Sequence, residues 1–331
     1  MIVQNPARAS SGGSASRIRL KADEKISWFG NIPFLLVHAG CLLVFWAGFS
    51  WTALGIGLLS FFSRMFGITG GFHRYFSHRT YKTSRVFQFL LAFWGTTAAQ
   101  MGPLWWAAHH RTHHRFSDTE NDIHSPGVKG FFYSHMGWIL CRKNHVTHWK
   151  NIRDFAQFPE LRFLDRYHYL APATLILLLA SAGFLIEAFL PFLETTAFQI
   201  LVWGFFLSTV LLYQCTFSIN TFAHMIGKRR FETHDDSRNS FWLALATLGE
   251  GWHNNHHYYP GSERQGFYWW EIDITHYILR VLSWFGLVWD LRTPPPEIYG
   301  AAQAGRGVKQ ENRILPALVP ARSNGGPAPA A

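Results

Sequence analysis

The feature that most constrains the fold is a forty-residue stretch, 32–71, in which Arg64 is the one formally charged residue. A helix needs about 20 apolar residues to cross the hydrocarbon core of a bilayer, so this stretch is long enough for two spans and a tight turn. Two further apolar segments lie later in the chain, separated by a few residues. We predict an all-α integral membrane protein whose four transmembrane helices form two hairpins, with spans at about 33–49, 51–69, 170–190 and 198–219.

The composition supports a membrane location. Of the 331 residues, 48% are hydrophobic, 17% are aromatic and 15% are charged, whereas soluble domains contain about 25% charged residues. The net charge of +10 would suit nucleic acid or anionic headgroups equally well by its sign. The apolar segments favour the membrane, so we expect contact with membrane lipid and no nucleic-acid partner.

The distribution of charge predicts the orientation. The segment 70–169 contains 13 Lys or Arg and 6 Asp or Glu, whereas the turns at 49–51 and 191–197 contain no Lys or Arg. By the positive-inside rule this segment and both termini are cytoplasmic, which predicts a multi-pass protein of the inner or cell membrane. The apolar stretch 86–108 is interrupted by Gly and Pro, and we interpret it as a re-entrant or surface-lying helix.

These segments divide the chain into three parts. Residues 1–25 are rich in Ser, Gly and Arg, which predicts a disordered segment without a cleavable signal peptide. Residues 26–295 form the membrane domain, and its non-spanning parts, 70–169 and 220–295, are predicted to form a cytosolic helical cap. The final part, 296–331, is rich in Ala, Gly and Pro and is predicted to be a disordered tail.

Histidines are concentrated in the predicted cap. Of the 18 histidines, eight fall in three short motifs, HRYFSH, HRTHH and HNNHH. On an α-helix, positions i and i+4 lie about 40° apart, so the first and last histidines of HRTHH share a face, as do those of HNNHH. The middle histidine of each motif is turned aside. These eight residues are His73, His78, His110, His113, His114, His253, His256 and His257.

The first motif has a different spacing. On an α-helix, His73 and His78 would diverge by about 140° because they are five residues apart. Ligands that face two directions suit two metal ions better than one, and nitrogen-rich sites suit iron, copper, zinc and nickel. The motifs therefore favour a metal cluster over a solvated patch of histidines. Three histidines that stand alone, His38, His168 and His276, are interpreted as structural.

The chain resembles a known family, the integral-membrane acyl desaturases related to stearoyl-CoA desaturase, over roughly residues 26–295. The resemblance is carried by GITGGFHRYFSHRTY, HHRTHHRFSD and GEGWHNNHH in that order, by NTFAH at 220–224, and by the DDSRN that follows. It implies a cytosolic cap that holds two iron ions, Fe2+ or Fe3+, and Asn220 would act through water. The implied ligands are His73, His78, His110, His113, His114, His224, His253, His256 and His257.

The same resemblance implies the activity. It is that of an oxygen-dependent desaturase of bacterial type, which introduces a cis double bond, expected at Δ9, into a saturated acyl chain, expected to be acyl-CoA. The reaction uses oxygen and two electrons, removes two hydrogens from adjacent carbons and releases water. No catalytic residue beyond the metal ligands is implied. A bent apolar tunnel would select the carbon pair, and the positions that match the bend are Gln100, Trp106 and Thr216.

One position departs from the family. The animal enzymes carry Arg-Asp immediately before the second motif, where these residues help to hold coenzyme A, and this chain has Ala108 and His109 there. The headgroup would then be held by other basic residues, such as Arg74, Arg111 or Arg115. Alternatively, the acyl chain would be linked to a lipid or to a carrier protein.

Other functions remain open at this point. A di-iron membrane hydroxylase or ketolase of the same superfamily would share the first C–H cleavage. A metal transporter would place histidines and acids inside the spans, where the ionisable groups besides Cys and Tyr are His38, Arg64 and Glu187. A non-catalytic lipid-binding protein would leave the matched histidines unexplained.

The reaction needs a source of electrons, and the metal ligands need hydrogen-bond partners. The sequence shows no haem-binding or iron–sulfur pattern, so we expect a separate donor such as a ferredoxin, a rubredoxin or a cytochrome b5-like protein. Ligating imidazoles usually donate their second N–H to an acceptor. Candidate acceptors are Asp118, Glu120, Asp122 and Glu250. Histidines near the motifs but outside the matched positions are His109, His124, His135 and His234.

Overall fold

The computed structural model describes residues 20–303, and within that range the chain is mostly helical. The α-helices, numbered in chain order, are α1 (Ile32–Gly40), α2 (Val44–Ala47), α3 (Trp51–Phe66), α4 (Arg85–Thr96), α5 (Pro103–Phe116), α6 (Pro126–Lys129), α7 (Arg153–Ala156), α8 (Pro159–Arg166), α9 (Leu170–Phe189), α10 (Ala197–Leu201), α11 (Ser208–Met225), α12 (Phe241–Ala246), α13 (His253–Tyr258), α14 (Ile274–Trp284) and α15 (Pro296–Gln303).

Other helical types connect or extend these elements. The π-helical segments are Gly67–Ser77, Tyr133–Gly137 and Val202–Leu207, and the 3-10 turns are Phe29–Asn31, Cys41–Leu43, Arg142–His145, Trp149–Asn151 and Pro191–Leu193. The strands β1 (Lys82–Thr83) and β2 (Val288–Trp289) pair antiparallel, with Lys82 opposite Trp289 and Thr83 opposite Val288. This short ladder ties the segment after the first histidine motif to the residues that follow α14.

The four predicted spans are confirmed as helices of sufficient length and apolarity. Among residues 20–303, the helices able to cross a membrane are Phe29–Ala47, Trp51–Ser77, Leu170–Phe189 and Ala197–Met225. The second and fourth extend beyond the predicted ends at 69 and 219. The chain is therefore a membrane protein, and its second and fourth spans carry His73 and His224 near their ends.

The second and fourth spans form the centre of the bundle. At least half of the residues in their apolar stretches are buried, compared with 11% in the first and third spans. The fourth span packs against each of the other three. Small residues permit this approach: a Cβ on Gly40 would overlap the ring of Phe206, and one on Gly183 would lie 2.7 Å from Cα of Ala197. The apolar surface of the outer spans is the surface that lipid would cover.

The interrupted apolar stretch 86–108 forms most of α4 and the first part of α5. At 12 and 14 residues, these helices are shorter than a bilayer requires. The helix α4 packs against the π-helical end of the second span, where the backbones approach so closely that a Cβ on Gly67 would lie 2.9 Å from Cα of Gly95. This packing supports the interpretation of 86–108 as a non-spanning segment.

The predicted disordered ends lie mostly outside the described residues, which omit 1–19 and 304–331. Two short parts of those predicted ends, 20–25 and 296–303, lie within the described residues. Near the amino end, Glu24 accepts hydrogen bonds from Lys129 and from Lys143. Near the carboxyl end, the chain continues beyond 295 into α15.

Candidate metal centre

The first histidine motif lies on the π-helical end of the second span, and this changes its geometry. A π-helix joins residues five apart, and the backbone N–H of His78 donates to the carbonyl of His73 at 3.2 Å. The two rings are therefore close, with centroids 4.9 Å apart. The predicted divergence of about 140° is wrong, because it assumed α-helical geometry.

The second motif lies on α5, whose start is fixed by a carboxylate from α8. Asp165 accepts hydrogen bonds from the backbone N–H groups of Leu104 and Trp105 at 3.0 and 2.8 Å. These two N–H groups have no acceptor within the helix, so the carboxylate caps α5. Its negative charge also interacts favourably with the positive end of the helix dipole. This contact holds the start of α5, the helix that carries the HRTHH motif, against α8.

The third motif lies on α13, and the two asparagines between its histidines anchor that helix. The side-chain oxygen of Asn254 accepts hydrogen bonds from the backbone N–H groups of Arg230 and Phe231 at 2.8 and 2.7 Å. The amide of Asn255 donates to the carbonyl of Gln265 at 2.9 Å. Both asparagines are fully buried. In HNNHH, two adjacent asparagines thus anchor the helix, and the histidines lie on either side of them.

Nine histidines converge in two groups whose potential ligand atoms lie within 4.8 Å of one another. The five-histidine group contains His73, His78, His110, His114 and His256, and the four-histidine group contains His113, His224, His253 and His257. Each H-x-x-H-H motif contributes its i, i+4 pair to one group and its middle histidine to the other. This division follows the α-helical spacing, as predicted for the second and third motifs.

Within each group, Nε2 atoms face one another. The separations are 2.8 Å for His78 and His110, 2.9 Å for His114 and His256, and 3.1 Å for His224 and His253. Two neutral imidazole nitrogens at such distances repel each other unless a proton or a cation lies between them. The donor set therefore fits a metal ion in each group.

Five of the nine histidines are held in the neutral form that binds metals. Burial, together with the neighbouring imidazoles, holds the pKa values of five of them well below the usual range. Neutral imidazole has the lone pair that a metal ion needs. These five residues are His78, His110, His114, His253 and His256.

Carboxylates contact the outer nitrogens of the four-histidine group. The Nδ1 atoms lie 2.7 Å from Asp118 for His224, 3.1 Å from Asp122 for His113, and 2.6 Å from Asp235 for His257. Burial would raise the pKa of Asp118, but the hydrogen bond and charge of His224 lower it to about 2. An ionised carboxylate fixes Nδ1 as the donor and leaves Nε2 free for a metal.

Among residues 20–303, the five-histidine group has one such carboxylate, Glu250, which contacts Nδ1 of His73. Burial would raise the pKa of Glu250, but His73 and Arg74 lower it. Arg74 is fully buried and pairs with Glu250 at 3.1 Å and with Asp273 at 2.9 Å, so it links the first motif to the third. Within the described part of the chain, Nδ1 of His256 has no partner.

The structure separates the four carboxylates that the sequence suggested as acceptors for the histidines. Three of the four expected acceptors, Asp118, Asp122 and Glu250, contact histidines of the two groups, whereas Glu120 is exposed. Sequence reasoning missed Asp235 as an acceptor. The signal was present, because Asp235 belongs to the DDSRN element that was matched without a role.

The histidines outside the two groups have varied surroundings. The ring of His124 lies 4.3 Å from that of His113, and burial lowers the pKa of His124 to about 3. His135 contacts Gln214 and Thr221, and His234 is exposed. His109 is buried, and its Nδ1 donates to the Trp105 carbonyl at 2.9 Å. The isolated His38, His168 and His276 contact Phe34, Asp165 and Glu263.

A cavity of about 890 Å3 lies beside the five-histidine group and extends between the spans. Its walls include His110 and Asn220 as well as the three predicted tunnel residues. The side chain of Gln100 donates to Thr216 at 2.8 Å and accepts from the indole of Trp106 at 3.3 Å. The Trp106 ring stacks on His110 with centroids 5.1 Å apart. The structure thus joins one end of the cavity to the five-histidine group.

The turn that carries Gln100 has an unusual backbone. Its neighbours Ala99 and Met101 have φ values of 56° and 64°, in the left-handed region. Such conformations cost about 1–3 kcal/mol each and persist where the surroundings fix them. Here the Tyr213 hydroxyl donates to the carbonyl of Ala99 at 2.7 Å. The turn is therefore held in the position that presents Gln100 to the cavity.

Two of the three basic residues expected to hold coenzyme A are engaged elsewhere. Arg74 is buried in its ion pairs with Glu250 and Asp273. Arg111 donates to both carboxylate oxygens of Asp154 at 2.9 Å. Of the three, Arg115 is exposed.

Comparison with known proteins agrees with this geometry. Residues 49–289 match the pattern that defines the fatty acid desaturase family. The chain is 36% identical over 271 residues to an sn-1 stearoyl-lipid 9-desaturase of Anabaena variabilis, covering 81% of this chain and 94% of that protein. It is 37% identical over 273 residues to an icosanoyl-CoA 5-desaturase of Limnanthes douglasii, covering 80% and 71%. With its membrane helices and its histidine groups, the chain belongs to the fatty acid desaturase family.

Proposed function

We propose that the chain is an oxygen-dependent fatty acyl desaturase in which each histidine group holds one iron ion. The observation that carries this proposal is that His110 belongs both to the five-histidine group and to the wall of the cavity. Unactivated C–H bonds resist acid–base chemistry, and bound iron would supply the necessary oxidant from oxygen and two electrons. The cavity would place one pair of methylene carbons beside the metal.

The proposed ligands are the nine histidines of the two groups. Asn220 lies one helical turn before His224 on α11 and lines the cavity. We assign it to the metal centre through a water molecule. The reaction then balances as one saturated acyl chain, one oxygen molecule, two electrons and two protons giving one cis double bond and two water molecules.

The protein contributes position and exclusion of water. We propose that Gln100, Trp106 and Thr216 form the wall against which the acyl chain bends, since they are joined by hydrogen bonds and line the cavity. The distance from the bend to the carboxyl end of the chain would set the position of the double bond, for which we propose Δ9. The relative from Anabaena variabilis is named for a lipid-linked chain and the one from Limnanthes douglasii for a CoA-linked chain.

We further propose that the four spans form two hairpins and that 70–169 and 220–295 form a cytosolic cap. The excess of Lys and Arg between the hairpins supports a cytoplasmic location for both termini and the metal centre, in the inner or cell membrane. Electrons would come from a separate protein on the same side, such as a ferredoxin, a rubredoxin or a cytochrome b5-like protein.

Expression in a desaturase-deficient host tests the function, with fatty acids analysed by mass spectrometry. A new monounsaturated acid, absent from cells that carry the empty vector, is expected. A hydroxy or keto acid in its place would identify the related hydroxylase or ketolase chemistry instead. Absence of any modified acid at normal protein and iron content would contradict the proposed function.

A further inference from the structure

The cavity reaches the surface that the outer spans present to lipid. Its walls include Pro33 and Leu36 of α1 and Tyr169, Ala173 and Ile176 at the start of the third span. Leu36 is 62% exposed and Tyr169 is 57% exposed, and Pro33 and Ala173 are exposed as well. Residues that line a cavity and are also exposed mark its opening. The opening therefore lies between the first and third spans.

The packing of the spans explains why this opening exists. Both α1 and α9 pack against the π-helical segment Val202–Leu207 of the fourth span. Among the described residues, α1 and α9 have no extended contact with each other. Phe205 and Phe206 line the cavity between them. From Tyr169 to Ile176 the opening extends about 10 Å along the helix axis, at about 1.5 Å per residue.

The chemistry of the walls selects among substrates. None of the described residues that line the cavity is Lys, Arg, Asp or Glu. The phosphates of coenzyme A would be expected to meet Arg or Lys side chains or a helix amino terminus. Of the basic candidates, Arg74 and Arg111 bind carboxylates, and the exposed Arg115 does not line the cavity. The opening thus suits a hydrocarbon chain at the level of the bilayer, and it offers no charged partner for a nucleotide.

We propose that the acyl chain enters sideways from the bilayer, through the slot between α1 and α9, while it is still esterified to a membrane glycerolipid. This inference rests on the proposed function and specifies its substrate class. The chain passes the slot residues Leu36 and Ala173 and reaches Trp106 and His110 within the same cavity. The headgroup remains at the membrane surface beside Tyr169.

Paired substitutions test the route. Trp in place of Ala173 fills the slot, whereas Trp in place of Ala182, exposed on the opposite side of the same helix, does not. A second pair is Leu36→Trp in the slot and Leu42→Trp outside it. In the desaturase-deficient host, each slot variant should lower the product at least about tenfold at equal protein and iron content, and each control should stay within about twofold of wild type. Full activity in both slot variants would overturn the route.

A double-label assay tests the substrate class. Washed membranes of the complemented host receive an electron source, deuterated 1-stearoyl-2-oleoyl phosphatidylcholine and 13C-labelled stearoyl-CoA together, without ATP or free coenzyme A. The deuterated lipid should be desaturated while the 13C label stays saturated. Desaturation of the 13C-labelled stearoyl-CoA alone would overturn the inference and leave the proposed function intact. If the host itself contains no new unsaturated acid, the proposed function fails instead.

Discussion

The two histidine groups are built from the same motifs but are held in different ways. In the four-histidine group, Asp118, Asp122 and Asp235 each contact the outer nitrogen of a histidine. In the described part of the five-histidine group, Glu250 is the one carboxylate in such a position. The five-histidine group has instead the cavity on one side, where Trp106 stacks on His110.

The difference suggests a division of roles. A carboxylate behind an imidazole fixes its tautomer and makes it a stronger donor, so the four-histidine group should bind its metal more firmly. Charged groups are costly to bury beside hydrocarbon unless they are paired. A wall without them keeps the cavity apolar where the acyl chain would lie. We infer that one metal is held firmly and the other faces the substrate.

Removal of one histidine from each group should have the largest effect. His113→Ala leaves three imidazoles in its group and His256→Ala leaves four in the other, so we expect metal loss chiefly from His113→Ala. Both variants should insert normally and retain less than about a tenth of wild-type activity, because a lost ligand disturbs more than a lost partner of a ligand. Product analysis and metal content per chain check this, with the exposed His234→Ala as the control.

Greater retained activity in either variant would show that the residue is not a metal ligand. Equal metal loss in the two variants would contradict the difference between the groups.

Neutralising a carboxylate should weaken the four-histidine group specifically. In Asp235→Asn the amide cannot accept from His257 Nδ1 as an ionised carboxylate does, and metal affinity should fall about 10–100-fold. The adjacent Asp236, whose side chain is 63% exposed, provides the control Asp236→Asn. Metal titration of the purified variants measures the effect. The same metal affinity in both variants would show that the contact of Asp235 with His257 does not strengthen metal binding.

Replacing the cavity wall should change the product rather than the metal. Trp106→Ala removes the ring between the cavity and His110, so turnover should fall and double bonds should form at mixed positions while iron content stays normal. Trp46→Ala, at a site 76% exposed on the first span, controls for loss of membrane anchoring. Mass spectrometry of the products and iron analysis distinguish a lost cavity wall from lost membrane anchoring. An unchanged product profile and turnover would contradict the role of Trp106.

The smallest effect concerns the stability of the metal-free protein as a function of pH. Burial lowers the pKa values of His114 and His256 in the folded chain, whereas the unfolded chain takes up protons near pH 6.5. The contribution of these two histidines to the stability of the fold is therefore complete above about pH 6.5 and is lost as the pH falls below that value. Asp118 has a pKa of about 2 in the folded chain, so it stabilises the fold above its unfolded pKa. This stabilisation is lost only as the pH falls toward 2.

Between about pH 7 and 5, the melting temperature of the metal-free protein should therefore fall, and Asp118→Asn should leave that slope nearly unchanged. Thermal unfolding in detergent measures it. A melting temperature that is constant over this range would contradict the buried, neutral state of the histidines.

Sequence reasoning reached the parts of the site that follow regular helix geometry. The four spans could be predicted because apolar length is a direct physical requirement of the bilayer. The division of His110, His113 and His114 between two groups could be predicted because α5 is a regular α-helix. The nine histidines could be named, and the structure brings all of them together.

What could not be predicted depends on irregular backbone or distant contacts. The pairing of His73 with His78 requires a π-helix, which an α-helical calculation cannot produce. The contact of Asp235 with His257 joins a loop to α13, so the DDSRN element marks Asp235 but does not identify its partner. The slot between the first and third spans arises from how both pack on the fourth, which apolar composition alone does not specify.

The central claim is that the two groups together hold two iron ions. Metal analysis of the protein, produced at low level in cells and purified without chelators, tests it most directly. We predict about two irons per chain, with His113→Ala retaining about one, as follows from four imidazoles in one group and five in the other. Well under one iron per chain, with zinc filling the histidines in cells, would contradict the claim.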